Sequence, residues 1–219
     1  GLGRAPGSDP YQAGALAYGS KTTGPEFFPT KMNDLKSFLS GEVSSTESFE
    51  SVSVTPGLGN LPEVWLLVSS QQGAEYAAQF GLPMSLAYFI NQDCLHLAEI
   101  YRKNFVPSAF SEFPRISLGV FSICAETDKR AEELASSAAL WRNNSQVGKF
   151  SAFPTMEESR SQINVGSDNR TFVGSPGLVK DKLKPLLDKV VPEELKIITI
   201  CESFPARQES YQLINDIFN

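Results

Sequence analysis

Histidine, cysteine and basic charge are all scarce in this chain of 219 residues, and each shortage removes a class of function. The one histidine, His96, falls in the helical pattern 93–105 and reads as a surface residue rather than a catalyst. The three cysteines, Cys94, Cys124 and Cys201, have no metal or disulfide spacing. Cys124 and Cys201 end apolar runs, where a thiol behaves as a small hydrophobe, and this usage suits a reducing cytoplasm. Lysine and arginine total 19 against 25 aspartate and glutamate, a net charge of −6, and no basic block exists to neutralise phosphates along a duplex. A nucleic-acid partner is therefore excluded. No apolar run approaches the ~20 residues of a membrane-spanning helix, so no membrane partner is expected. The acidic pairs Glu132-Glu133, Glu157-Glu158 and Glu193-Glu194 are sequence neighbours whose side chains point apart, which makes them solvated faces rather than acid/base couples. Gly57-Leu58-Gly59 lacks the full dinucleotide fingerprint and precedes an apolar run rather than following one; it is a turn.

What is present is a strand-to-helix corner at Val64–Pro83. The apolar run Val64–Ser70 is too short for a stable helix and reads as a strand covered on both faces. The alanine-rich stretch from Gln71 or Gln72 to Gly81-Leu82-Pro83 then reads as a helix. The first N–H groups of that helix lack intrahelical partners, so Ser69, Ser70 and the Gln71–Gly73 amides make a cradle suited to an anion. Serines at such a corner also serve simply as caps. A second segment, Gly1-Leu2-Gly3-Arg4-Ala5-Pro6-Gly7, delivers one arginine into a Pro-Gly turn, and a guanidinium presents two donors to a pair of phosphate oxygens.

Four strand-like runs are legible, Val64–Ser70, Met84–Ile90, Ile116–Cys124 and Leu195–Cys201, each followed by a helical pattern. Asp93 is read as the N-cap of the helix that ends at Pro107, and Lys129–Asn143 as a helix packing through Leu134, Ala138 and Trp141. Ser175-Pro176 opens a helix with Val179, Leu183, Leu186, Leu187 and Val190 on its buried stripe; Pro185 predicts a kink or restart. Pro205 opens a closing helix with Tyr211, Ile214, Ile217 and Phe218 facing inward. Earlier in the chain, helices are read near Pro10–Ser20, with Tyr11 and Tyr18, and at Pro29–Leu39. A short strand through Phe49, Val52 and Val54 follows. The stretches 41–61 and 144–170 read as excursions from a single domain spanning 1–219, and the second lacks obvious structure of its own.

Three segments carry a family resemblance: GLGRAPG at 1–7, SSQQGAEYAAQFGLPMSLAYFIN at 69–91, and Val173-Gly174-Ser175-Pro176-Gly177-Leu178-Val179-Lys180-Asp181-Lys182-Leu183. In order and spacing the chain resembles the bacterial luciferase-like, flavin-dependent monooxygenases over nearly its whole length. The resemblance implies an α/β fold, the (β/α)8 TIM barrel, present only as its C-terminal part of about four βα units. Strands one to four would precede Gly1. The open half is then expected to expose unpaired edges and to lack turnover by itself.

The resemblance also implies reduced FMN, supplied by a separate flavin reductase, and O2 as the means of oxidising a small organic substrate. A homodimer is implied as well. Arg4, Ser69, Ser70 and Gly73 would hold the FMN phosphate at the C-terminal end of the strands. That departs from the usual barrel phosphate site after strands seven and eight. The same residues serve a deazaflavin equally well. The family's catalytic acidic-plus-histidine pair would lie upstream of Gly1, so no catalytic residue is assigned here. Tyr88 and Asn91 could wall the flavin or substrate pocket, although packing and capping explain them better. Glu202, ending the last strand, could line the barrel mouth, and 144–170 is implied to be a lid. The alternative is a shortened relative that binds flavin or forms oligomers without turnover.

Overall fold

The computed structural model describes residues 1–3, 10–16, 24–41, 49, 52, 62–149, 151–160 and 170–218. Among them, strands and helices alternate as a β/α chain should. The strands are β1 (Leu66–Val68), β2 (Met84–Ala87), β3 (Ile116–Cys124), β4 (Thr171–Gly174) and β5 (Glu194–Ile198). The helices are α1 (Pro10–Leu16), α2 (Phe28–Ser40), α3 (Gln71–Gln79), α4 (Leu97–Asn104), α5 (Asp128–Gln146), α6 (Met156–Arg160), α7 (Pro176–Val190) and α8 (Phe204–Phe218). The five strands among the described residues fall short of the eight of a closed barrel, and the barrel is present only in part. The chain forms two compact units, Gly1–Ser85 with Leu97–Arg115, and Leu86–His96 with Ile116–Asn219.

In the first unit β1 takes its backbone partners from both sides. Leu2 is bridged to Leu66 in parallel, with Leu2 N–H donating to the Trp65 carbonyl at 2.8 Å and Leu67 N–H to the Leu2 carbonyl at 2.6 Å. Leu66 N–H donates to the Pro83 carbonyl at 2.9 Å. Ala74, Ala77 and Ala78 of α3 are fully buried at helical spacing, and their small side chains let α3 lie close against α4. The α2 helix docks through Met32 onto Val64 and Leu82, and Lys36 Nζ donates to the Phe80 carbonyl at 2.8 Å, satisfying the C-terminal end of α3. Buried Tyr101 joins two further pieces of backbone: its hydroxyl donates to the Leu82 carbonyl at 2.9 Å and accepts from Arg115 N–H at 3.1 Å.

The second unit is organised on β3. Residues Ser117–Phe121 pair in parallel with β5, and Phe121–Cys124 pair in parallel with β4. Every β3 residue except Phe121 is buried, which accounts for its mostly apolar sequence, and the buried Ser122 hydroxyl donates to the Phe172 carbonyl at 2.9 Å. Ser210 of α8 accepts from Cys124 N–H at 2.9 Å, and Arg142 of α5 donates to Thr171 Oγ1 at 2.9 Å while its guanidinium lies 5.1 Å from the Phe121 ring.

Several expected elements are redrawn. Four-residue β4 escapes the pattern analysis because Thr171 and Val173 are only half-buried and the run is short. The expected strands Met84–Ile90 and Leu195–Cys201 become Met84–Ala87 and Glu194–Ile198. The helix expected from Asp93 starts as a 3-10 turn, Gln92–His96, capped by Asn91, whose Oδ1 accepts from Asp93 N–H at 3.0 Å. The α7 helix runs through Pro185 without a restart. Pro185 sits on its exposed face, as does Asp181, whose carbonyl loses its partner there and can turn to water, while Val179, Leu183 and Val190 anchor both sides. On α8 the buried stripe is Ala206, Ser210 and Ile214, and the expected inward residues Tyr211 and Phe218 are exposed instead. Trp141 is likewise partly exposed, against the ring of Phe153. Helices α1 and α2 fall where expected. Tyr18, the strand through Val54 and the turn Gly57-Leu58-Gly59 lie outside the described residues.

Among the described residues, one non-glycine backbone position is strained. Val191, following α7, has φ 47° in the left-handed region, where its N–H donates to the Leu187 carbonyl at 2.8 Å. A β-branched residue pays there for a geometry glycine adopts freely. Val191→Gly is therefore expected to raise stability by about 1 kcal/mol, read as a higher midpoint in urea unfolding; a lower midpoint would contradict the strain.

Candidate functional site

The turn from β1 into α3 is built from the residues the sequence singled out. Ser70 is the N-cap of α3, extended at φ −139° and ψ 158°, and its hydroxyl accepts from Gly73 N–H at 3.3 Å. Ser69 and Ser70 are both half-buried. A side chain at Gly73 would meet Val68 Cγ1 at 3.3 Å and Ser70 Oγ at 3.4 Å, so glycine keeps the first turn of α3 close against the end of β1. Gln71 Nε2 donates to Glu75 and Gln72 Nε2 to Tyr76, along the helix rather than across its start. The first turn of α3 carries no acidic residue. These features suit an anion: oriented amides and hydroxyls at the positive end of a nine-residue helix, without a carboxylate in that turn to compete. Ser69, Ser70 and Gly73 are thus brought together, whereas Arg4 lies outside the described residues.

The helix starts of the second unit, by contrast, are met by side chains. Thr127 Oγ1 accepts from Arg130 N–H at 3.2 Å to cap α5. Asp128, first in α5, accepts at 2.7 Å from the N–H of Ser175, which itself opens α7. Those Ser175 hydrogen bonds, with help from Lys182, hold the Asp128 carboxyl below its ordinary pKa. Gly174 before it is required by packing, since a Cβ would fall 2.7 Å from Leu178 Cδ2. In α6, Thr155 and Glu158 satisfy one another reciprocally: Glu158 Oε2 accepts from Thr155 N–H at 2.8 Å and Thr155 Oγ1 from Glu158 N–H at 3.2 Å. Glu202 does not stand alone at a barrel mouth; its Oε2 accepts from Met156 N–H at 2.7 Å.

The remaining candidates have structural duties. Tyr88 stacks on Phe172 with centroids 5.8 Å apart, and burial, then Cys94 and Asp93, raise its pKa. Asn91 is the cap already described. His96 is exposed, with Nδ1 2.7 Å from the Asp93 carbonyl. Burial pushes the thiols of Cys94 and Cys124 up to about 11, so both stay protonated and unreactive at neutral pH. Among the described residues no group of side chains is arranged to hold a metal, and no helix is long and apolar enough to cross a membrane. The segment expected to be a structureless lid contains α6, which the Thr155-Met156-Glu157-Glu158 capping box would have revealed in the sequence.

Comparison with known proteins supplies the family. The uncharacterized protein YceB of Bacillus subtilis is 32% identical over 227 residues, covering 100% of this chain and 68% of its own. A luciferase-like monooxygenase of Escherichia coli K12 is 29% identical, covering 99% of this chain and 66% of its own. The chain belongs to the luciferase-like flavin-dependent monooxygenase family. The crystal structure of apo-MsnO8 superposes with a TM-score of 0.85 at 27% identity, over 99% of this chain and 67% of that one. The oxygenating constituent of 3,6-diketocamphane monooxygenase from Pseudomonas putida, solved in complex with FMN, shares the fold at TM-score 0.60 and 17% identity, over 97% of this chain and 68% of that one. No family model matches. The chain spans about two thirds of the length of these family members. Its partial sheet is that of the luciferase-like barrel.

The Asp128–Ser175 bond makes a pH prediction with a definite sign. A carboxyl whose folded pKa is lowered adds stability above its unfolded pKa of ~3.9, and that stability is lost as pH falls through the folded value. Wild type should therefore exceed Asp128→Asn in urea resistance at pH 7, with the gap closing below about pH 4. A gap independent of pH would show that the charge is immaterial.

Proposed function

We propose that this chain is the flavin-phosphate-binding part of a luciferase-like monooxygenase, and that the turn Ser69–Gly73 holds the phosphate of FMN. The observation that carries the reading is the start of α3, where two half-buried serines and the first amides stand with no acid in the first turn. Ser69 and Ser70 would hydrogen-bond the phosphate, and the amides of that turn would face it as a helix start faces any anion. Arg4 would neutralise it. The parallel register of Leu2 with Leu66 supports its inclusion, because Arg4 follows Leu2 by two residues while Ser69 follows Leu66 by three.

Bound FMN supplies the redox chemistry, and the polypeptide contributes binding, orientation and exclusion of water. The reading is of reduced FMN with O2 rather than a deazaflavin, in keeping with the FMN carried by the diketocamphane enzyme of the same fold. Reduced FMN would arrive from a separate flavin reductase, and a small organic substrate would be oxidised. A homodimer in the cytoplasm completes the proposal.

The test separates capping from phosphate binding. Aspartate caps a helix as well as serine does, but it repels a phosphate. Ser70→Asp should therefore keep its unfolding midpoint, bind FMN at least about tenfold more weakly, and bind riboflavin unchanged. Arg4→Ala should show the same preference for losing FMN. Equal losses for FMN and riboflavin, or none for either, would contradict the assignment.

A further inference from the structure

Helix α6, within the segment 151–160, is fastened to its unit at two ends by interactions of different kinds. At its C-terminal end Ser159 is fully buried, with Oγ 2.9 Å from Ser136 Oγ and 3.5 Å from Ser137 Oγ on α5, both buried as well. Ser136 Oγ also donates to the Glu133 carbonyl at 2.7 Å and Ser159 Oγ reaches the Thr155 and Met156 carbonyls at 2.9 and 3.0 Å, so the buried hydroxyls tie α5 and α6 into one polar cluster that is costly to separate. At its N-terminal end the side chain of Met156 packs, half-buried, on the cluster of Ile123, Ala125, Leu134 and Ala206. The backbone there is held differently. Met156 N–H, first in α6, donates at 2.7 Å to the exposed Glu202, which lies 46 residues away on the turn between β5 and α8.

The capping box leaves this amide for Glu202. Glu158 serves Thr155 N–H, and Thr155 Oγ1 serves Glu158 N–H. The carboxylate is also of the right sign for a helix start. We propose that Glu202 is a positioning residue for the 151–160 segment: it acts as a water-exposed latch that seats the start of α6 on the β5–α8 turn, while Ser159 is the dry anchor. The connection after α5 and the one after β5, which pack on the same apolar cluster through Met156 and Cys201, are then further joined by this exposed hydrogen bond. This inference goes beyond the flavin reading and does not depend on it.

Amide hydrogen exchange followed residue by residue by NMR on the 219-residue chain tests it without any ligand. Glu202→Ala should speed exchange at Met156 about fivefold, the effect of one net hydrogen bond, with the amides of Ser136, Ser137 and Ser159 unchanged. Glu202→Gln, which keeps an acceptor oxygen, should restore the wild-type rate. Ser159→Ala should instead speed exchange around 159. An unchanged Met156 rate in Glu202→Ala, failure of Glu202→Gln to rescue it, or acceleration spread evenly along the chain would each overturn the latch.

Discussion

Each turn from strand to helix in this fold leaves N–H groups that the helix itself cannot satisfy, and how the chain answers that requirement decides what each turn can do. In the second unit the answers are internal. Thr127 caps α5, Asp128 takes the amide that opens α7, Thr155 and Glu158 close α6 on themselves with Glu202, and Ser203 accepts from Ala206 N–H at 3.3 Å to start α8. Asp128 and Glu202 bring negative charge to those helix starts, which disfavours a bound phosphate. The α3 start is answered by hydroxyls, without an acid in its first turn. A phosphate is a group that such an end favours, and it is there that we propose the phosphate of FMN is held.

The small residues follow from the same geometry. Gly73 holds the first turn of α3 against Val68, and Gly174 makes room for Leu178 at the start of α7. Ala74, Ala77 and Ala78 on one helix, and Ala206 with Ser210 on another, keep their backbones near the elements they cover. Short side chains near a strand end bring helix amides close to it. The packing of each unit and the position of its helix starts are in this sense one design, set by where glycine, alanine and serine fall.

Much of this was legible in the sequence. Four of the five strands, the α3 corner, the helix start at Ser175, and the partial barrel could be read from apolar runs, caps and family motifs. The misses have local causes. β4 is too short, and α6 hid inside a polar stretch although its capping box was written there. On α8 Ile214 is buried as expected, but the aromatic Tyr211 and Phe218 face outward, and the small Ala206 and Ser210 are what fit inward. Pro185 looked like a break, yet its exposed position and the apolar anchors around it let the helix continue. Tyr88, Asn91 and Glu202 show the limit of reading function from position at a strand end. Tyr88 and Asn91 have the packing and capping duties that explained them better in the sequence, through Phe172 and the Asp93 N–H, whereas the partner of Glu202 lies 46 residues away and is not readable from local spacing.

The central claim is that the helix start after β1 receives a phosphate. Comparing amide chemical-shift changes on adding FMN with those on adding riboflavin isolates the phosphate's contribution most directly. The account predicts that the FMN-specific changes concentrate at Ser69, Ser70, Gln71, Gln72 and Gly73. Changes at the starts of α5, α7 or α8 instead, with the α3 turn indifferent to the phosphate, would contradict it.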